Sequence, residues 1–476
     1  MELKTGFTFD DVYLVPKRSS IKSRRNVDTT TSLTKNIALS TPIVSANMDT
    51  VTEGTMSVTM AREGGIGIIH RFLPVEEQVS EVIKVKRIES VIIENPYTLP
   101  QNKTLKEAKE FMEAKGVKGI LVTENGKLLG ILTGRDTMFE DNLDRKISDL
   151  MTPRKQLVVG KPGLSIEEAK KILRENRVEK LPIVDKNWKL RGLITSKDIK
   201  NRSLYPHSTK DPKGRLMVGA AIGVRGDYIK RAEALLKAGV DVLVLDIAHG
   251  HSDNAINALR SVKKEFGDVD VIAGNVATRE GVEDLASAGA DAVKVGVGSG
   301  SICITRIVTG CGVPQLSAIF DCSEAGKELN VPIIADGGIR TSGDITKALA
   351  AGASTVMIGS LLGGTEESPG FTVIRNGAKY KITRGMASLG ASMGRAERDK
   401  KSEEDLREAV PEGVEGIVPY RGYAREVLYQ LVGGLRSGMS YCGATTLKEL
   451  REKAEFEKIT SASQKEGLPH DITLIK

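Results

Sequence analysis

The sequence is poor in aromatic residues: Phe, Trp and Tyr make up 4% of 476 residues, with a single tryptophan. That scarcity argues against a surface on which single-stranded bases stack, because such surfaces need repeated aromatic platforms. Cysteine is scarce as well. The four present (Cys303, Cys311, Cys322 and Cys442) lack metal-ligand spacing and are too few for a disulfide scaffold, so a reducing, cytoplasmic compartment is expected. No apolar run approaches the roughly 20 residues that cross a bilayer, and the first residues lack the apolar core of a secretory signal. Neither sign of charge dominates: 69 basic residues stand against 62 acidic ones, a net +7. The bases are interleaved with acids, as in Lys106-Glu107, so the excess reads as a surface attracting small phosphorylated ligands, not nucleic acid.

What the sequence has is alternation. Short apolar runs at Pro42–Ala46, Gly65–Ile69, Leu216–Ala221, Val240–Asp246, Val269–Ala273, Ala292–Val297, Val331–Ala335 and Thr355–Ile358 read as strands. Between them, segments such as Tyr228–Ala238 and Gly281–Ala288 return apolar residues every three or four positions, the period of a helix. Near-continuous apolar strands imply a parallel sheet covered on both faces. Eight units with glycine-rich strand ends fit a (β/α)8 TIM barrel better than a doubly wound open sheet.

The alternation breaks after the second strand, where an internal repeat takes over. Thr104-Leu-Lys-Glu-Ala108 is echoed by Leu164-Ser-Ile-Glu-Glu-Ala169, and Leu128–Asp136 by Leu190–Asp198, at an offset of about 62 residues. That spacing suits a tandem pair of small α/β modules inserted at 92–205 into a barrel made of 1–91 and 206–476. The repeat resembles a pair of CBS modules, adenosyl-ligand sensors in which Thr-x-x-Asp at a strand end holds a nucleotide ribose. The resemblance points to Thr133, Asp136, Thr195 and Asp198 as contacts for adenine or guanine nucleotides. The same residues also read as plain helix N-caps.

The chemistry gathers at the strand ends. Cys303 sits in Gly-Val-Gly-Ser-Gly-Ser-Ile-Cys-Ile-Thr (296–305), directly after the sixth apolar run. Glycines let a ligand approach the backbone, and loop N–H groups can hold an anion beside a nucleophilic thiol. Asp336-Gly337-Gly338 and Gly359-Ser360 follow the seventh and eighth runs, where barrels build phosphate cradles. Asp246 ends the fourth run and can accept hydrogen bonds from a ribose diol. His249 and His251 beside it lack a third partner for a metal.

Thr8–Pro16, Ser45–Glu53, Gly64–His70, Gly300-Ser-Ile-Cys303 and Gly433–Met439, in this order, resemble the IMP dehydrogenase/GMP reductase family, CBS insertion included. The resemblance implies a purine mononucleotide with its phosphate on Ser301, Gly337, Gly338, Gly359 and Ser360 and its ribose on Asp336. Met48, Arg384, Gly385, Met386 and Glu412 would complete the nucleotide site. Cys303 would attack C2 of the purine while NAD takes a hydride, with the cofactor beside Asp246, Asn275, Gly296, Val297 and Gly298. Thr305 and Glu412 would handle protons. A potassium ion would rest on Gly298, Gly300 and Cys303, completed by Glu466, Gly467 and Leu468 of a neighbouring subunit in a homotetramer.

The same resemblance leaves the direction of reaction open. Oxidation of IMP to XMP needs water activated by an Arg-Tyr pair on a flap, here within 384–422. Arg398 falls near the arginine position, but Asp399 replaces the tyrosine. GMP reductase, which uses NADPH, also lacks the pair, and Asn47 resembles its pattern. The CBS insertion, Pro411–Gly416, Pro419–Gly422 and Pro469-His-Asp471 instead resemble the dehydrogenase, which is the favoured reading, with Arg398 as base. A nucleotide sensor without catalysis is a third reading, countered by Cys303, Asp336 and Gly359-Ser360.

Overall fold

Eight short apolar runs become eight parallel strands in the computed structural model, which describes residues 3–88, 92–391 and 410–472. They are β1 (Ile43–Ser45), β2 (Ile66–Ile69), β3 (Gly219–Ile222), β4 (Val242–Asp246), β5 (Val271–Val276), β6 (Ala292–Val295), β7 (Ile333–Asp336) and β8 (Thr355–Ile358). Each pairs with the next, and β8 pairs with β1 through Val356 and Ile43, closing the barrel. The expected strands are all present, with ends shifted by up to three residues. At β3 the reason is visible: the Asp241 carboxylate takes the Val218 N–H at 2.7 Å, so pairing with β4 starts at Gly219.

Every residue of β1, β2, β3, β6 and β8 is buried, as strands walled on both faces must be. The partly open strand residues are Asp246, Asn275 and Asp336, at or near the C-terminal ends of β4, β5 and β7. Inside, Val44, Ile66, Ile68, Val242, Val244, Ile272, Ile334 and Met357 pack with Leu33, Ile37 and Leu39 of a hairpin. That hairpin plugs the N-terminal end, where Asn36 Nδ2 bonds Asp270 at 2.6 Å just before β5. Burying each such side chain stabilises the fold by about 1.5–3 kcal/mol.

The covering helices are α1 (Gly54–Arg62), α2 (Val75–Arg87), α3 (Tyr228–Ala238), α4 (Asp253–Phe266), α5 (Arg279–Ser287), α6 (Gln315–Glu328), α7 (Ser342–Ala350) and α8 (Ala424–Tyr441). On α4 the buried residues are Ala255, Ala258, Leu259 and Val262, one stripe at three- and four-residue spacing. Helix α7 opens with a capping box, Thr341 bonding the Asp344 N–H and Asp344 returning to Thr341. Between β8 and α8 the chain forms a three-stranded antiparallel sheet of Thr372–Arg375, Ala378–Arg384 and Glu415–Pro419.

The chain divides into two compact units: 1–86, 207–211 and 216–476 form one, and 87–206 with 212–215 the other. The second unit carries the repeat. Helices Leu105–Ala114 and Ile166–Glu175 each start with a capping box, Thr104 with Glu107 and Ser165 with Glu168. Strands Gly119–Glu124 and Lys127–Thr133 pair in one module and Lys180–Val184 with Leu190–Thr195 in the other. Among the described residues no helix is long and apolar enough to cross a membrane.

Candidate active site

The barrel mouth is cut by two adjoining cavities of about 300 and 260 Å3 that share Ala46, Met48, Asp336 and Gly337 among their walls. The first is lined by Ser301, Gly338, Gly359 and Ser360, the second by Asp246, Asn275, Gly296, Cys303, Thr305 and Glu412. Gly296 lets this cleft form: at φ +149 it lies against the Asp336 carbonyl, where a Cβ would collide. Loop 296–305 therefore folds directly over the end of β7.

Cys303 is half-buried, and its Sγ lies 3.1 Å from Thr305 Oγ1. Thr305 donates its proton to Glu412 Oε2 at 2.7 Å, which leaves the hydroxyl oxygen to accept from the thiol. The line from Cys303 through Thr305 to Glu412 is a path for a proton. Backbone bonds fix it: Ile304 N–H donates to Glu412 O at 2.8 Å and Glu412 N–H to Ala387 O at 3.0 Å. Cys322 and Cys442 are buried, and burial pushes both thiols up, Cys322 to about 12. Cys303 is the one of the four that lines the cleft.

Asp336 is held from two other strands, β6 and β5. Lys294 Nζ on β6 reaches its Oδ2 at 2.8 Å, and Asn275 Nδ2 on β5 donates to the same oxygen at 3.0 Å. Lys294 also donates to Asn275 Oδ1 and stands 3.9 Å from Asp246 Oδ1. Burial opposes charge on Lys294, but the Asp336 and Asp246 carboxylates outweigh it and hold the ammonium above the ordinary lysine range. Lys294 was not singled out in the sequence. The available signal was one charged residue inside a wholly buried apolar strand.

Of the residues expected to touch the nucleotide, Met48, Ser301, Asp336, Gly337, Gly338, Gly359, Ser360, Gly385, Met386 and Glu412 line the two cavities. Arg384 lines neither. Its Nε bonds Asp49 Oδ2 at 2.7 Å, a bond that raises the guanidinium further above its usual value. Arg398 lies outside the described residues.

Residues 6–470 match the model of the IMP dehydrogenase / GMP reductase domain. The chain belongs to that family. It is 57% identical over 479 residues to the inosine-5'-monophosphate dehydrogenase of Nitrosopumilus maritimus (strain SCM1), all of both chains being covered. It is 49% identical to the enzyme of that name from Bacillus subtilis (strain 168), covering 99% of this chain and 97% of the other. Among solved structures it is similar to a GMP reductase from Trypanosoma brucei in complex with guanosine 5'-monophosphate. The TM-score is 0.93 and the identity 46%, over 99% of each chain. A second structure of that reductase, in complex with guanosine 5'-triphosphate, matches with a TM-score of 0.83 and 42% identity, over 96% of this chain and 99% of that one.

In this family member the expected cofactor residues Asp246, Asn275, Gly296, Val297 and Gly298 share the cavity of Cys303. Asp246 sits 3.5 Å from Arg71 Nε. A carboxylate at the mouth of a cavity suits ribose hydroxyls, so the residues present fit a dinucleotide. For potassium, Gly298, Gly300 and Cys303 lie on one loop whose backbone carbonyls are the neutral donor type for a weakly hydrated cation, and the Gly300 carbonyl accepts the Cys303 N–H at 3.1 Å. Within one chain, Gly467 instead lies against the Tyr13 hydroxyl, and Leu468 bonds back to Lys465. In the second unit Thr133 donates to Asp136 Oδ2 from both N and Oγ1 at 2.6 Å, and Thr195 Oγ1 donates to Asp198 Oδ2 at 2.5 Å. Both pairs stand where a strand passes into a helix, the arrangement of a cap.

Proposed function

We propose that the protein is an IMP dehydrogenase, oxidising inosine 5'-monophosphate to xanthosine 5'-monophosphate in guanine nucleotide synthesis. The observation that carries this is the Cys303–Thr305–Glu412 line opening onto a cleft with a phosphate cradle at one end and carboxylates at the other. The nucleotide phosphate rests on Ser301, Gly338, Gly359 and Ser360, and its ribose bonds Asp336. Cys303 gives its proton through Thr305 towards Glu412 and its sulfur adds to C2 of the base. NAD, held by Asp246, Asn275 and Gly296–Gly298, supplies the acceptor for the hydride that leaves C2. The resulting thioimidate on Cys303 is hydrolysed by water activated by Arg398, which releases XMP and restores the thiol.

The rest of the reading follows the same family. Potassium would be held by the Gly298, Gly300 and Cys303 carbonyls, with Glu466, Gly467 and Leu468 of a second copy completing the site in a homotetramer. Residues 92–205 form a regulatory tandem that takes ATP or GTP at Thr133, Asp136, Thr195 and Asp198. The protein works in the cytoplasm.

A second reading is reductive deamination of GMP by NADPH. Two observations favour it: the Arg-Tyr pair is missing from the sequence, and the Trypanosoma brucei GMP reductase shares the fold along the whole chain. Incubation with IMP and NAD⁺ should yield NADH absorbance and XMP. Silence there, with NADPH consumed and ammonia released in the presence of GMP, would install the reductase instead.

A further inference from the structure

Lys294 is the one charged residue on β6 and is 4% exposed in its side chain. Burying an ammonium that deeply is costly unless it is paired. Its partners come from three strands: Asp246 on β4, Asn275 on β5 and Asp336 on β7. Asp336 lines both cavities and so reaches the nucleotide end of the cleft, whereas Asp246 and Asn275 line the dinucleotide end.

We infer that Lys294 is a positioning residue that couples the two halves of the cleft, setting Asp336 for the nucleotide and Asn275 and Asp246 for the dinucleotide through one shared ammonium. The inference rests on the reading of the cleft given above. Asn275 makes the coupling geometric. Its Oδ1 accepts from Lys294, so its Nδ2 is turned to Asp336 Oδ2 at 3.0 Å and to the Gly296 carbonyl at 2.8 Å. A change at Lys294 therefore reaches the amide orientation, the Asp336 carboxylate and the loop carrying Cys303 together. The coupling is also electrostatic. Without the ammonium, Asp336 loses a cation at 2.8 Å, while Asp246 keeps Arg71 Nε at 3.5 Å. A carboxylate whose charge-assisted partner is lost binds its hydroxyl donors in the wrong place.

The test uses the full chain with IMP and NAD⁺. Lys294→Met keeps the length of the stem and removes the charge. KM for IMP and KM for NAD⁺ should both rise about tenfold or more, the size expected for one charge-assisted bond on each side. Lys294→Arg should bring both back part of the way. The sharper reading comes from Asp246→Asn, a change on the dinucleotide side, with IMP binding measured by calorimetry and no cofactor present. It should shift IMP affinity about threefold in the parent chain and not at all in the Lys294→Met background. A rise in one KM alone, or a shift that persists without Lys294, overturns the inference. Should Lys294→Met not fold, an unchanged IMP affinity in Asp246→Asn overturns it by itself. A parent chain that binds neither IMP nor NAD⁺ would instead remove the functional reading beneath it.

Discussion

The barrel ends strands in aspartate, at Asp246 and Asp336, and the inserted unit places one three residues past each of two strands, at Asp136 and Asp198, yet they use the carboxylates in opposite ways. In the inserted unit, Asp136 and Asp198 turn back on Thr133 and Thr195, three residues away. In the barrel, Asp336 is gripped by Lys294 and Asn275, 42 and 61 residues distant in sequence. A carboxylate satisfied by its own turn caps a helix and holds the chain locally. A carboxylate fixed from other strands keeps its orientation while part of it stays open to a cavity, as pre-organised binding requires. Where the partners come from separates a cap from a site, although both look alike as a strand followed by aspartate.

The largest break in that comparison should come at Cys303, the thiol that lines the cleft in the barrel mouth. Cys303→Ser should lower turnover of IMP by about 10³-fold or more while IMP binding by calorimetry holds within about threefold. In the parent protein, trapped turnover mixtures should yield a base-modified peptide spanning 301–306, and its absence would remove covalent chemistry from the proposal. Thr305→Val breaks the relay and leaves the thiol in place. Turnover should fall about 10²-fold, and adding Glu412→Gln should cost little more, because the two residues act as one path. Fully additive losses would mean that Thr305 and Glu412 handle different protons.

Much of this was legible in the sequence because its causes are local or periodic. Eight buried parallel strands announce themselves as apolar runs, since both faces are walled and no alternation is needed. Cys303, Asp246, Asp336 and the glycines stand at strand ends, and closure of the barrel gathers such ends in one mouth. The long-range pairings were not legible. Lys294 in Ala-Val-Lys-Val stands out only as a charge in an apolar run, and its partners Asp246 and Asp336 arrive from other strands. The bond between Arg384 and Asp49, on the loop after β1, likewise joins residues far apart in sequence. The strand ends moved for a similar reason, as when Asp241 takes the Val218 N–H from the sheet.

The smallest effect tests the other half of the comparison. Asp136→Ala and Asp198→Ala each remove a helix cap, and each should lower the stability of the inserted unit by about 1 kcal/mol, read as an earlier thermal transition. If the carboxylates also bind a nucleotide ribose, the double variant should in addition erase any change in activity or oligomer size caused by ATP or GTP. The two roles compete for the same atoms. Asp136 Oδ2 already takes both bonds from Thr133, so a ribose must displace one of them or use Oδ1, where Thr152 Oγ1 stands at 3.4 Å. Binding at this module should therefore be weak beside binding at the barrel mouth, where Asp336 is held by residues that leave part of it open to the cavity. A nucleotide response that survives the double variant, with the stability loss present, would leave these residues as caps alone.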